Sequence, residues 1–262
     1  MNTQLEKEYQ EYKESGRIWG LVPQESIKKI KFPRVSKEII DQFLEIEDLT
    51  TTVSDVLDSL GISGAIPASY IPPVIPGKKI AGPAVTVRNI RARKTPTQGY
   101  VDKDFIKMST RDAYYLAEPG DVLVTDTGGN LDISNMGGHS CTVAQSLGLA
   151  GNIVNGAVRD VTTIKNIDYP VWSCGKTPIT GKFRIEAIEV NGPITLHDVV
   201  VNPGDLMVAD DSGICVIPYD KIEYVLEQAQ SIVNEEERMH DLIINKAPID
   251  QLKTLFRKRY DG

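Results

Sequence analysis

Between Lys79 and Pro218 the chain is a succession of short apolar runs rich in valine and isoleucine, each cut off by glycine, proline or a polar turn. IAGPAVTVRNI (80–90), DVLVTD (121–126), GNIVNG (151–156), VWSCG (171–175), FRIEAIEV (183–190), ITLHDVVV (194–201), LMVAD (206–210) and GICVIP (213–218) share this texture. Branching at Cβ crowds a helix and suits a pleated sheet, and runs this short are strands rather than buried helices. The middle of the chain must therefore be sheet.

Helical spacing is confined mainly to the two ends. Leu5, Tyr9 and Tyr12 mark a helix over residues 3–15, and Ser36 opens a second bearing Ile39, Ile40, Phe43 and Leu44 on one side. A third, about Thr52 to Leu60, turns Val53, Val56, Leu57 and Leu60 inward and stops at Gly61. Pro218 begins a long helix whose Ile222, Val225, Leu226, Ala229, Ile232 and Val233 form one stripe, and DQLKTLF is a last short one. AIPASYIPPVIPGKK (65–79) is too rich in proline to be anything but loop. GGHSCTVAQSLG (137–148) reads as a helix after a glycine loop. Many strands with helices at both ends give an α/β protein, and argue against regular βαβ alternation. PGDVLVTDTGG (119–129) echoes as PGDLMVADDSG (203–213), read as two similar turn–strand–turn units.

Charge and cysteine usage narrow the function classes. A net charge of -7 leaves no broad basic footprint, so nucleic acid is not an expected partner. An anionic substrate then needs a local cation. Cys141, Cys174 and Cys215 are far apart with no CxxC pair, which argues against a disulfide framework or a zinc site and suits a reducing cytoplasm. The N-terminal stretch is too polar for a signal peptide and no run approaches a membrane span, so a cytoplasmic protein without a membrane partner is expected.

Two stretches could carry chemistry. In GNIVNGAVRD (151–160) a strand reads as ending at an Asn155-Gly156 turn, after which Arg159 and Asp160 stand side by side. Taken alone, such a pair is equally a surface ion pair of little energetic consequence. In TDTGGNLDISNMGGHS, Gly128, Gly129, Gly137 and Gly138 surround a helix start, where free N–H groups favour an anion. The spacing is neither GxGxxG nor a Walker loop, so a small carboxylate or phosphate fits better than a nucleotide. An arginine fork can grip the carboxylate of a 2-oxo acid, and a neighbouring aspartate can ligate a hard divalent cation.

The stretches VSDVLDSLG, AGPAVTVR, PGDVLVTDTGG, MGGHSCTVAQSLGLAGNIVNGAVRD, PVW and VADDSGICVIP, followed by a long acidic helix, cover roughly Thr51 to Asp241. In that order they resemble the 4-hydroxy-4-methyl-2-oxoglutarate aldolase family, which includes the regulator of ribonuclease activity A (RraA-like proteins). The resemblance implies a swivelling β/β/α fold, here with a helical extension (1–50), a catalytic domain (51–245) and a helical tail (246–262). It implies a homotrimer or hexamer with active sites between subunits, and Mg²⁺ or Mn²⁺ as cofactor. Arg159 would bind a small 2-oxo acid and Asp160 the metal. Gly137, Gly138, His139 and Ser140 would receive the carboxylate, and Glu236 of a neighbouring subunit would support the metal's water shell. The expected activity is lyase chemistry, aldol cleavage or decarboxylation, through a pyruvate enolate. The sequence departs from the family at two places. Gly138 stands where its aldolases carry an acidic residue, and Asn155 where many relatives have aspartate. His139 is the adjacent candidate proton carrier. The missing acid also leaves open a non-catalytic regulatory protein.

Overall fold

The computed structural model describes residues 3–103, 108 and 110–258. Residues 104–107 and 109, and part of the tail (259–262), therefore lie outside the described residues.

The chain begins with three helices, α1 (Thr3–Glu14), α2 (Lys37–Glu45) and α3 (Leu49–Ser59), of which α2 is preceded by Ser36 as anticipated. A short strand β1 (Ala65–Pro67) and the long β2 (Ile80–Arg91) follow. Next come α4 (Pro96–Val101), α5 (Thr110–Leu116), β3 (Val122–Met136), α6 (Gly138–Ser146), β4 (Gly151–Val158), α7 (Val161–Asn166) and β5 (Val171–Lys176). The chain continues through β6 (Ile185–Val190), β7 (Ile194–Leu196), β8 (Val199–Val201), β9 (Leu206–Ala209) and β10 (Gly213–Ile217). It closes with the long α8 (Ile222–Ile244) and α9 (Ile249–Lys258).

Seven strands run in the order β1-β10-β9-β2-β3-β4-β5, with β6 also on β2 and a separate β7–β8 hairpin. The pairings β2–β3, β3–β4 and β4–β5 are parallel, and the others are antiparallel. Strand β2 joins the two halves: Ile80–Pro83 pair with β9, while Val87–Arg91 pair with β6.

Two readings of the sequence are corrected here. β3–α6–β4–α7–β5 is a regular βαβαβ run, contrary to the expectation that no such alternation is present. It is hard to see because α7 is six residues of mostly polar sequence, VTTIKN, that buries only Ile164. And Ala65–Pro67, assigned to loop, forms a strand on β10. Its proline is tolerated because β1 lies at the sheet edge, where a missing N–H breaks no ladder.

Three apolar clusters hold the layers together. One covers a face of the parallel sheet with α5, α6 and α7, and Tyr12, Val22, Ile27 and Ile30 from the N-terminal segment are part of it. A second lies under the β7–β8 hairpin around Trp172, and a third packs α2, α3 and α8 on β9 and β10. All eight residues of β4 are buried, as expected of a parallel strand covered on both faces.

The repeated Pro-Gly-Asp is a structural device. Asp121 N–H donates to the Glu118 carbonyl and Asp205 N–H to that of Asn202, both at 3.1 Å, with the intervening glycines at φ 89° and 94°. These are type II turns, which need a left-handed residue at the third position. Each aspartate then folds back, Asp121 accepting from Glu118 N–H and Asp205 from Asn202 N–H, both at 2.8 Å. Burial pushes both carboxyls above their ordinary range.

Candidate functional site

Strand β4 delivers the central pair, but not by turning at Asn155-Gly156. It runs straight through to Val158, and its pairing with β3 and β5 slips there instead. Gly156 is required by close approach: a Cβ would collide with Thr127 Oγ1 and lie 2.7 Å from Asn135 Nδ2. Asn155 is buried and donates from Nδ2 to Asp126 Oδ1 at 2.8 Å and to the Thr195 carbonyl at 3.3 Å. An aspartate at 155 would face the Asp126 carboxylate, so the amide suits a site where the charge already resides on its neighbour.

After Arg159 the backbone kinks. Asp160 sits at φ 56°, ψ 40°, a left-handed conformation that costs an L-residue about 1 kcal/mol or more. The kink starts α7 and swings the carboxylate across to α6, where Asp160 Oδ2 accepts from Gly138 N–H at 3.0 Å. Arg159 Nε lies 3.6 Å from the same oxygen, and both side chains are about two-fifths exposed, at 40% and 43%. The pair is thus tethered to a second element rather than loose on the surface.

The α6 N-terminus provides the remaining groups. Gly137 caps the helix without a side-chain hydrogen bond, and Asp160 takes the first amide. Among the described residues no hydrogen bond satisfies the amides of His139 and Ser140, two of the donors a helix leaves open at its start. Gly137, His139, Ser140 and Arg159 line one cleft of about 530 Å³, together with Trp19, Leu21, Arg111, Met136, Lys182 and Phe183. His139 is exposed there. The structure therefore brings four of the anticipated residues to one cleft and sets Gly138 and Asp160 beside it.

The two glycines differ in what they permit. Gly137 has φ −150°, which any residue adopts. A Cβ there would nevertheless collide with the Asp160 carboxylate and come within 2.9 Å of Arg159 Cγ. We expect Gly137→Ala to keep the fold while displacing the pair, lowering any Arg159-dependent activity about 10²-fold with little change in Tm. Activity retained within about twofold would show that the placement of the pair is not critical. A Cβ on Gly138 would lie 2.6 Å from Thr163 Cγ2 and 2.7 Å from Thr163 Cβ. Thr163 of α7 thus fills the space through which a side chain at 138 would leave the backbone.

Hard divalent cations take oxygen donors and keep several waters when held by one or two carboxylates. Asp160 offers one such carboxylate, half-exposed, with Oδ2 engaged by Gly138. Among the described residues no three His, Cys, Asp or Glu converge as a ready cage. The donor set fits a largely hydrated Mg²⁺ or Mn²⁺ and not zinc. Glu236 is exposed on α8, which packs on α2 and α3.

Sequence reasoning missed Trp19, Arg111, Lys182 and Phe183 as cleft residues. Gly99 of α4 packs on Phe183, a Cβ there lying 3.2 Å from its ring, so α4 backs one wall of the cleft.

Comparison with known proteins gives a consistent picture. The RraA-like (Aldolase/RraA) family profile matches residues 50–216. DlpA of Legionella pneumophila is 31% identical over 201 residues, 77% of this chain, and the match spans only 31% of that longer protein. A Halalkalibacterium halodurans protein named "Putative 4-hydroxy-4-methyl-2-oxoglutarate aldolase" is 32% identical over 200 residues, 76% of this chain and 86% of that one. Among solved structures, an uncharacterized protein from Pseudomonas syringae pv. tomato superposes with TM-score 0.71 at 27% identity, over 85% of this chain and 100% of the other. Streptomyces coelicolor RraAS2, described as an unusual member of the RNase ES inhibitor RraA protein family, superposes with TM-score 0.66 at 24% identity, over 80% and 99%. These superpositions show a shared mixed α/β fold, and the chain belongs to the RraA-like (Aldolase/RraA) family.

Proposed function

We propose that this chain is a divalent-metal-dependent carbon–carbon lyase acting on a small 2-oxo acid through a pyruvate enolate. The observation that carries the reading is the tethering of Asp160 to the α6 N-terminus, with Arg159 and two unsatisfied amides in the same cleft. A surface ion pair needs neither a left-handed kink nor an adjacent anion-binding helix end.

In this reading Arg159 grips the substrate's carboxylate and keto oxygen, and the His139 and Ser140 amides receive the carboxylate's other side. Asp160 would hold Mg²⁺ or Mn²⁺, with Glu236 of a neighbouring subunit in a trimer or hexamer supporting its waters. Bound there, the cation supplies Lewis-acid polarisation of the 2-oxo group. His139 would be the cleft side chain that carries a proton, since Gly138 cannot.

Substrates that need less proton handling should therefore do better. Decarboxylation of oxaloacetate requires no deprotonation of a hydroxyl, whereas aldol cleavage of 4-hydroxy-4-methyl-2-oxoglutarate does. On one preparation the first is expected to run faster than the second. The reverse order would contradict the view that the acid–base group is deficient. Gly138→Asp is expected to cost about 1–3 kcal/mol of stability through the Thr163 collision, without raising aldol cleavage. A stable variant with faster cleavage would overturn that account of position 138.

A second reading has one observation in its favour. Gly138 in place of the acid also suits a protein that binds a partner without turnover, as a regulator does. Absence of metal-dependent turnover on every oxo acid, with the fold intact, would select it.

A further inference from the structure

The cleft contains more than a pyruvate-sized ligand would use. Trp19, Leu21, Met136 and Phe183 give it apolar walls, Arg111 and Lys182 add cations beyond Arg159, and among the described residues no carboxylate lines it. In a chain of net charge -7, a cleft whose described lining carries three formal cations, with Asp160 as the carboxylate beside it, is a local exception. Its volume of about 530 Å³ falls in the range of sites that enclose ligands much larger than a three-carbon acid.

The key wall comes from outside the 50–216 family match. Trp19 stacks on Tyr115, ring centroids 5.5 Å apart, and the Arg111 guanidinium lies 5.1 Å from the Trp19 ring centroid. The indole is in contact with an aromatic and a cation, yet remains 46% exposed. Its backbone is clamped on both sides. Arg17 donates to the carbonyls of Tyr115 (2.9 Å) and Ala117 (2.7 Å) and to Glu118 (2.8 Å), while Asp112 Oδ1 accepts from Gly20 and Leu21 N–H at 2.8 and 3.2 Å. Asp112 is 2% exposed, so this clasp is built into the core. Trp19 and Leu21 also line a neighbouring groove of about 640 Å³ with Pro23 and Ile188, and so stand between the two spaces.

We propose that the N-terminal segment is a specificity element, and that Trp19 and Arg111 select a 2-oxo acid with a planar apolar body, such as an aryl group. The apolar walls take the body, and Arg111 and Lys182 offer cation–π contacts to its ring while suiting an anion as a whole. Lys182 already lies 5.4 Å from the Phe183 ring centroid. The proposal rests on the preceding section only for placing the carboxylate on Arg159.

The test is calorimetric titration of the full chain with pyruvate and with phenylpyruvate, in Mg²⁺, for the wild type and for Trp19→Ala, Trp19→Phe and Arg159→Gln. Phenylpyruvate is expected to bind about tenfold or more tighter than pyruvate. Trp19→Ala should collapse that ratio to about threefold or less, and Trp19→Phe should restore most of it. Arg159→Gln should weaken both ligands together. A wild-type ratio near one, or a ratio unmoved by Trp19→Ala, overturns the proposal even if Trp19→Ala alone perturbs the clasp. If pyruvate binds through Arg159 without an aryl preference, the specificity element fails and the oxo-acid site stands. If the aryl preference depends on Trp19 while Arg159→Gln changes nothing, the converse holds. Absence of binding by either acid overturns both.

Discussion

Asp160→Ala is expected to abolish metal-dependent pyruvate release, by about 10³-fold or more, while costing only about 1–2 kcal/mol of stability. The effects on function and on stability are separable. In activity, Asp160 is the one carboxylate that Arg159 and the α6 N-terminus share, and alanine leaves neither a metal ligand nor an acceptor for Gly138 N–H. In stability, two small effects act in the same direction: a hydrogen bond worth about 1 kcal/mol is lost, and alanine tolerates the left-handed backbone no better than aspartate. Asp160→Gly sharpens the test, because glycine adopts φ 56° freely and should match or exceed wild-type stability while remaining inactive. A large drop in Tm with Asp160→Gly would mean that the residue is chiefly structural.

Arg34→Ala is expected to be the most destabilising change in the N-terminal segment, about 3–5 kcal/mol at neutral pH. Arg34 holds Asp121 with both ends of its fork, Nε to Oδ1 at 2.9 Å and Nη2 to Oδ2 at 2.8 Å, and Asp121 is 1% exposed. Removing the cation leaves a buried carboxylate with only the Glu118 amide. The pH dependence follows from the direction of the shift. Burial already raises the Asp121 carboxyl, against the Arg34 charge that lowers it, and losing Arg34 raises it further. A group raised in the folded state contributes its stability below the unfolded pKa and loses it as pH rises through the folded one. The Arg34→Ala defect should therefore shrink as pH falls from about 7 toward about 4.5, where a proton replaces the missing cation. Chemical denaturation at both ends of that window checks it. A defect that is constant or grows toward low pH would assign Arg34's role to its packing on Phe32, whose ring centroid lies 4.1 Å from the guanidinium.

These two residues show what the sequence makes legible. Arg159 and Asp160 are adjacent in the chain, so their chemistry can be read from a dipeptide, and the Pro-Gly-Asp echo marks two turns that do close in the same way. The fold class follows from strand texture in the middle and helical spacing at the ends. What could not be read has physical causes. Asn155-Gly156 has turn chemistry, but here it marks close packing on Thr127 and a polar contact with Asp126, because tertiary crowding outranked local preference. Helix α7 is almost all polar, so its place in a βαβ run leaves little periodicity. Arg34 and Trp19 act at sequence separations of 87 and about 96 residues, on Asp121 and Tyr115, and no local pattern encodes either pairing. Position 138 is intermediate. The missing acid is visible in the sequence, whereas Thr163 filling the space beside it is visible only in three dimensions.

The most direct test of the central claim is pyruvate release from oxaloacetate and from 4-hydroxy-4-methyl-2-oxoglutarate, measured with Mg²⁺ and again with a chelator. The site described here predicts release above the metal-only background from oxaloacetate at least, lost on chelation and lost in Asp160→Ala. Release indistinguishable from the background with both substrates, from protein shown to be folded, would contradict the assignment of Arg159 and Asp160 to oxo-acid lyase chemistry.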